Sequence, residues 1–442
     1  MKIARNVCIK YSVFILLALL TSAATMVYGT ACAADETFQN ALQIDVPGGL
    51  NSFDIGFVDP KLGLYFLADR TNKTIDQVNT SDNSITQLAP GELVGPNGVI
   101  TANNHKEVWE GDTDSHVRVI NLKTGKVTHA IDTGGQQRAD ELCEDPIDHV
   151  VLVANDEDVD LFLTFIDTKT YAAIGNLTLK GNDPKAKNVE ALNGIEQCQW
   201  SPRTGKFYLA VPQVKSSSVA SIGPNTTPGA VLKIDPVSMK VEEVFPINFH
   251  FLAGSLTTTP VTPATADCLG PQGLTIGPGH EILLGCSNGG TVGNAPAPVI
   301  RVAQGQGSVI IDERDGSELR NLPGLNGNDE VWYNPGDNHY FLAGSNHNLN
   351  IPKPGPILGV DDQHGDPVID DDAASTAAGS HSVAADPVFN QVYVPGNQMA
   401  TSICPSGNGC IAVFVTANHD LGICGGKETA FKRHVCPRPG EN

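Results

Sequence analysis

Seven polar residues stand at matching places along the chain: Asp54, Asn97, Asp140, Glu196, Gln272, Asp329 and His381. Six of them lie six residues ahead of a proline, namely Pro60, Pro146, Pro202, Pro278, Pro335 and Pro387. Asn97 has Asn103 at that place instead. Brought together, these side chains would offer four carboxylates, two amides and one imidazole. Crowded carboxylates repel one another, which raises their pKa values unless a cation joins them. Such an oxygen-rich set suits Ca²⁺ or Mg²⁺, and the imidazole widens the choice to Zn²⁺ or Mn²⁺. The same residues serve equally well as a solvated lining, hydrogen-bonded to neighbouring strands.

The elements that must position them are strands. Each polar residue opens a segment of one kind: a short apolar strand, a proline turn, then a strand ending in small or polar residues. DIGFVDPKLGLYFLAD from Asp54 and DELCEDPIDHVVLVAN from Asp140 are two copies. After each copy comes a third strand, usually with an Asp/Gly turn into a fourth, as in VRVINLKTGKVTHAI and AVLKIDPVSMKVEEV. That is a four-stranded antiparallel meander. It recurs at intervals of roughly 43 to 76 residues, the signature of a propeller. A lone meander cannot cover both of its apolar faces, whereas radial stacking buries them and leaves short edges.

The expected fold is therefore all-β: a seven-bladed β-propeller of four-stranded antiparallel blades. The stretch ALQIDV from Ala41 has no blade of its own, and the last repeat shows only three strands. The N-terminal strand is expected to complete that blade and close the ring. The long insertions, Val211–Gly229, Ile247–Gly270, Cys286–Gly305 and Gly396–Cys410, fall where loops share one face, the face where binding is expected. Residues just after the second strands would surround the ring there: Asp69, Arg70, Asp112, Asn155, Asp156, Asn288, Asn346, His347 and Asn397. With Gln272 they suit a small polar ligand such as a sugar or hydroxy acid, though Asn and Asp are also good turn formers. EGDTDSH, with Asp112 and Asp114, and NDEDVD from Asn155 resemble fragments of calcium loops without their full spacing.

The ends and the cysteines speak to location. Lys2, Arg5 and Lys10 precede the apolar run YSVFILLALL, and Ala31-Cys32-Ala33 follows as a small-x-small cleavage pattern. Residues 1–33 read as a secretory signal peptide, 34–420 as one propeller and 421–442 as a disulfide-tethered tail. A lipoprotein at Cys32 is the weaker alternative, because Gly29 stands where a lipobox wants Leu. Cys143, Cys198, Cys268, Cys286, Cys404, Cys410, Cys424 and Cys436 follow the signal, an even set without CxxC spacing, which reads as disulfides rather than zinc ligands. The repeat places Cys143 and Cys198 on neighbouring inner strands, and Cys268 and Cys286 around one hairpin. Cys404–Cys410 and Cys424–Cys436 complete one scheme, with exchanged pairings among these four nearly as reasonable. The chain is expected in the periplasm or secreted. Its net charge of −21 argues against nucleic acid or anionic membrane as a partner. No GxSxG elbow, HExxH helix, P-loop or dinucleotide fingerprint stands in a suitable context.

HSVAADPVFNQVYVPGN from His381 resembles a repeat of the YVTN/NHL type, the broad group that includes lactonase-like and SMP-30-like propellers. The resemblance implies seven blades for the YVTN type and six for the SMP-30-like enzymes. SMP-30-like propellers hold one divalent cation through Glu, Asn, Asn and Asp and hydrolyse lactones or related esters. By position, Asp54, Asn97, Glu196 and Asp329 would be the matching metal ligands, with only one Asn present and Asp first rather than Glu. His381 or Asp140 would then be the general base. Virginiamycin-lyase-like propellers use His with Mg²⁺, so the resemblance keeps a lyase open at His381. Two functions thus stand side by side. One is a metal-dependent hydrolase of the lactonase or esterase kind; the other is a non-catalytic propeller whose long loops grip a ligand or another exported protein.

Overall fold

The computed structural model describes residues 38–216, 228–247, 268, 270–286, 307–323, 328–344, 357–361, 367–369, 380–401 and 403–416. The expected signal peptide, the tail and much of the long insertions lie outside these residues. Among the described residues the chain forms seven four-stranded antiparallel sheets and one two-stranded sheet, which pairs Glu190–Ala191 with Val214–Lys215.

Blade one runs Gly56–Asp59, Leu64–Asp69, Thr74–Asn79, Ile85–Leu88, and blade two Pro96–Ala102, Glu107–Asp112, His116–Asn121, Lys126–Asp132. Blade three is Leu142–Asp145, Val150–Asn155, Phe162–Asp167, Ala172–Thr178, and blade four Cys198–Ser201, Lys206–Val211, Gly229–Asp235, Lys240–Ile247. Blade five holds Pro271–Ile276, Glu281–Cys286, Gly307–Asp312, Glu318–Pro323; blade six Asn328–Asn334, His339–Gly344, Ile357–Asp361, Pro367–Ile369. The last blade takes Ala384–Asp386, Gln391–Gly396 and Cys410–Thr416 from the end of the chain. Its fourth strand is Phe38–Asp45, whose register runs from Phe38 opposite Thr416 to Asp45 opposite Cys410. Each inner strand packs on the inner strands of both neighbours, and Gly56–Asp59 meets Ala384–Asp386 to close the circle.

Alternation along the second strands explains how the blades stack. Tyr340 and Leu342 join Leu283 and Ile310 of blade five, while Phe341 and Ala343 join Val392, Val394 and Phe414 of the last blade. Phe66 and Ala68 likewise pack on blade two, and Tyr65 and Leu67 on the last blade. A strand buried on both faces alternates between two neighbours rather than between core and water. Fully burying each such large apolar side chain stabilises by about 1.5–3 kcal/mol.

Asp side chains build the turns. Asp59 Oδ1 accepts the N–H groups of Lys61 and Leu62 at 3.0 and 3.1 Å, and Asp145 repeats this with Ile147 and Asp148. Asp167 and Asp235 do the same in third-to-fourth-strand turns. Blade two departs from the pattern because Asn103, Asn104 and His105 have φ of 54°, 60° and 60°. Proline, fixed near φ −65°, cannot take that path, which accounts for its absence from this repeat.

Among the described residues three disulfides are formed: Cys143–Cys198 between the inner strands of blades three and four, Cys268–Cys286, and Cys404–Cys410. Cys424 and Cys436 lie outside the described residues.

Candidate functional site at the channel mouth

The seven leading residues stand where the inner strands begin, and the backbone ties them into a ring. Asp54, Asp140 and Glu196 each donate an N–H to the end of their own second strand, to Ala68, Ala154 and Ala210. Between blades, Ile55 donates to the Asn97 carbonyl, Gln197 to that of Gln272, and Glu330 to that of His381. Contact there is close: a Cβ on Gly98 would lie 2.1 Å from the Asp140 carbonyl oxygen. Glycine is needed at such an approach.

Side chains continue the ring. Arg70 reaches from the end of blade one's second strand and donates to both Asp54 and Asn97, with Nε 3.0 Å from Asn97 Oδ1. Asn97 in turn donates to the Ala139 carbonyl at 3.2 Å. Arg138 forks onto Asp156 at 2.9 and 2.6 Å and lies 3.0 Å from Asp140. Gln272 donates to Asp329 at 3.1 Å. His381 Nε2 lies 3.3 Å from Asp54 Oδ1, and its ring stacks on Phe53 with centroids 5.2 Å apart. A carboxylate only accepts, so Nε2 is the donor in that pair.

Two groups of three side chains share a common space, each with its ligand atoms within 4.8 Å of one another. They are Asp54, Asp329 and His381, and Asp140, Asp156 and Glu196. Their electrostatics differ. Burial alone would raise the Asp54 carboxyl, but the His381 hydrogen bond and the Arg70 charge outweigh it and hold it below the usual range. Burial pushes Asp140 well up, with Asp156 adding to it and Arg138 opposing. Glu196 is pushed well up by burial and then by Asp329 and Asp156. Burial also raises Asp329, against the pull of His381.

A second polar layer lies one residue further along the inner strands: Glu141, Gln197, Glu330 and Ser382, all buried or nearly so. Burial and then the Glu330 charge raise the Glu141 carboxyl well above its usual range. Glu330 accepts from Ser382 and from the Gly56 N–H, yet burial still keeps its carboxyl high. Sequence reasoning missed this layer and Arg138. Its trace was in the polar doublets Asp140-Glu141, Glu196-Gln197, Asp329-Glu330 and His381-Ser382.

Three of the expected ligand contacts are engaged in holding loops. Asp69 accepts from the backbone and side chain of Asn72 at 2.9 and 2.6 Å. Asp112 accepts from Val94, Gly95 and Thr113 and pairs with Arg118 at 2.7 Å. Asn155 bonds Thr133 and Thr164. All three are fully buried. Asp114, in the first calcium-loop fragment, is held by both arms of Arg118. Asn288, Asn346 and His347 lie outside the described residues.

The metal ligands implied by the resemblance have these neighbours. Asn97 Oδ1 and Asp54 Oδ2 both accept from Arg70. Glu196 groups with Asp140 and Asp156 rather than with Asp54 and Asp329. On the segments that carry Asp54 and Arg70 lies a cleft of about 510 Å³, lined by Asp45, Asn51, Thr71, Gln398, Ser406 and Asn408 among others.

No family model matches the chain, and no curated protein does. Solved structures do. A chain of the Kuenenia stuttgartiensis hydrazine synthase shares 14% identity at a TM-score of 0.55, over 86% of this chain and 98% of that one. A chain of a mitotic checkpoint complex shares 12% at 0.55, over 91% and 98%. The Pan2 WD40 domain of Neurospora crassa shares 10% at 0.55, over 87% and 97%. Identities this low carry the architecture alone, and by it the chain is a β-propeller of four-stranded antiparallel blades.

Proposed function

We propose that this propeller is an exported hydrolase of the lactonase or esterase kind, working at the channel mouth. The observation that carries this reading is the pairing of His381 with an ionised Asp54, the imidazole stacked on Phe53 and flanked by Asp329. A carboxylate that fixes a histidine's tautomer and stabilises its protonated form prepares it to act as a general base.

In the proposed reaction the His381 imidazole takes a proton from water. The water oxygen forms a bond to the carbonyl carbon of the ester or lactone. Asp54 and Asp329 offset the charge gained by the imidazole. Arg70 and Arg138 place two permanent positive charges at the mouth, the sign that the developing oxyanion requires. The tetrahedral adduct then collapses with cleavage of the bond to the alkoxy oxygen, which recovers the proton from the imidazolium. Acid and alcohol leave, and no redox step is involved. The polar cleft lined by Asn51, Thr71, Asn408 and the carboxylate Asp45 offers room for a hydroxylated substituent.

A panel of γ- and δ-lactones and p-nitrophenyl esters tests this on the mature protein. Turnover that falls about 10²-fold or more in His381→Gln, with the fold intact by circular dichroism, is the expected result. No turnover of any member by the wild type, with or without added divalent cations, would overturn it and leave the ligand- or protein-binding propeller.

A further inference from the structure

The second trio, Asp140, Asp156 and Glu196, has no part in the proposed proton transfer, yet its composition is unusual for a buried place. The three carboxylates bring their oxygens within 4.8 Å of one another, with Arg138 as the nearest full positive charge. With all three carboxyls ionised, one guanidinium would leave about two negative charges in excess, a cost that burial expresses by raising Asp140 and Glu196.

The oxygens are unevenly satisfied. Asp156 gives one oxygen to each arm of Arg138, and Asp140 lies against the same guanidinium through Oδ2. Asp140 Oδ1 is buried with no donor among the described residues, on a residue only 4% exposed. A buried acceptor without a donor marks a missing partner. Glu196 makes no side-chain hydrogen bond among the described residues. Its carboxylate folds over Gly194, where a Cβ would come within 2.3 Å of Oε1. Gly194 has φ +86°, so glycine both permits the backbone path and opens the space that Glu196 fills. Each carboxylate oxygen carries two lone pairs, so those of Asp156 that accept from Arg138 can still ligate.

We propose that Asp140, Asp156 and Glu196 bind one divalent cation through oxygen ligands, of the calcium type, apart from the Asp54–His381 pair. An all-oxygen, all-carboxylate set with no nitrogen or sulfur selects a hard ion. The ion would neutralise the excess charge and give Asp140 Oδ1 its partner. Two blades supply the ligands, Asp140 and Asp156 from around blade three and Glu196 from blade four, so the ion would also clamp that seam.

The test reads binding without substrate, so it stands or falls separately from hydrolysis. Chelator-treated mature protein is titrated with Ca²⁺ by calorimetry and melted with and without the ion. One Ca²⁺ per chain and a raised melting temperature are expected. Glu196→Gln should weaken binding about tenfold or more, while His381→Gln and Asp329→Asn stay within about threefold of wild type. Asp140→Asn, judged folded by circular dichroism, should match Glu196→Gln and guards against a single misfolded variant. Undiminished binding in both Glu196→Gln and Asp140→Asn overturns the proposal. Loss confined to His381→Gln and Asp329→Asn overturns it too, by placing the ion in the other trio. A wild type that takes up neither Ca²⁺, Mg²⁺ nor Mn²⁺ overturns it outright.

Discussion

The backbone N–H of Asn103 donates to Glu144 Oε1 at 2.8 Å, joining the first hairpin of blade two to the inner strand of blade three. Every other repeat has a proline at the matching place, and proline has neither that N–H nor access to φ 54°. The change that makes this repeat conform, Asn103→Pro, is therefore expected to destabilise. A half-buried carboxylate would lose its donor, at a cost of about 1–3 kcal/mol, with backbone strain added. A lowered urea midpoint at unchanged slope checks this, and an unchanged midpoint would refute it.

Glu110 lies fully buried in the second strand of blade two, and neither carboxylate oxygen has a donor among the described residues. Burial raises its carboxyl well above the usual range, Asp112 and Asp114 add to this, and Arg118 opposes it. The folded state therefore holds this proton more tightly than the unfolded chain does. Its stabilising contribution is complete below the ordinary glutamate pKa and is lost as pH climbs toward the raised value. Glu110→Gln carries no such linkage. Its melting temperature should fall less than that of the wild type between about pH 5 and about pH 8. Parallel profiles for the two proteins would contradict the assignment.

Cys143 and Cys198 tie blades three and four across a separation of 55 residues. Replacing both with serine removes a constraint on the unfolded chain and should cost about 2–4 kcal/mol. Denaturant unfolding of the double variant, compared with the wild type under non-reducing conditions, measures this directly.

Asp54→Asn keeps the shape of the His381 partner but removes its charge. If Asp54 orients and stabilises the imidazole, turnover should fall about 10²- to 10⁴-fold with little change in KM. A rise in KM alone would instead make Asp54 a substrate contact.

Much of this was legible because propeller geometry is periodic. The proline offset marks the inner-strand starts, so the sequence alone places Asp54, Asp140, Asp329 and His381 on one ring. The free N-terminal strand announced its pairing with Cys410–Thr416, and the inner-strand cysteines their bridge. What escaped lies outside the repeat. Arg138 belongs to an inter-blade loop, and nothing in its spacing ties it to Asp140 and Asp156. Asp69, Asp112 and Asn155 end second strands as predicted, yet they cap the loops that follow, a role that composition cannot separate from ligand contact. Glu141 and Glu330 were hidden by alternation: a polar residue after a polar residue reads as an exposed strand start, but a central channel has no outside.

The pairing of Phe38–Asp45 with Cys410–Thr416 also governs when the molecule can be finished. The earliest described segment to leave the ribosome has its partner among the last. Until that partner is made, the ring is an open stack with a bare edge at each end. Loop closure over nearly the whole chain is slow compared with hairpin formation inside a blade. Individual meanders can thus form early, while the circle, and with it the arrangement of charges around the axis, waits for the chain to be complete. Anything that acts on the mouth meets it only in fully synthesised molecules, and a chain cut short before Cys410 would leave His381 and Asp54 on the two sides of an open seam.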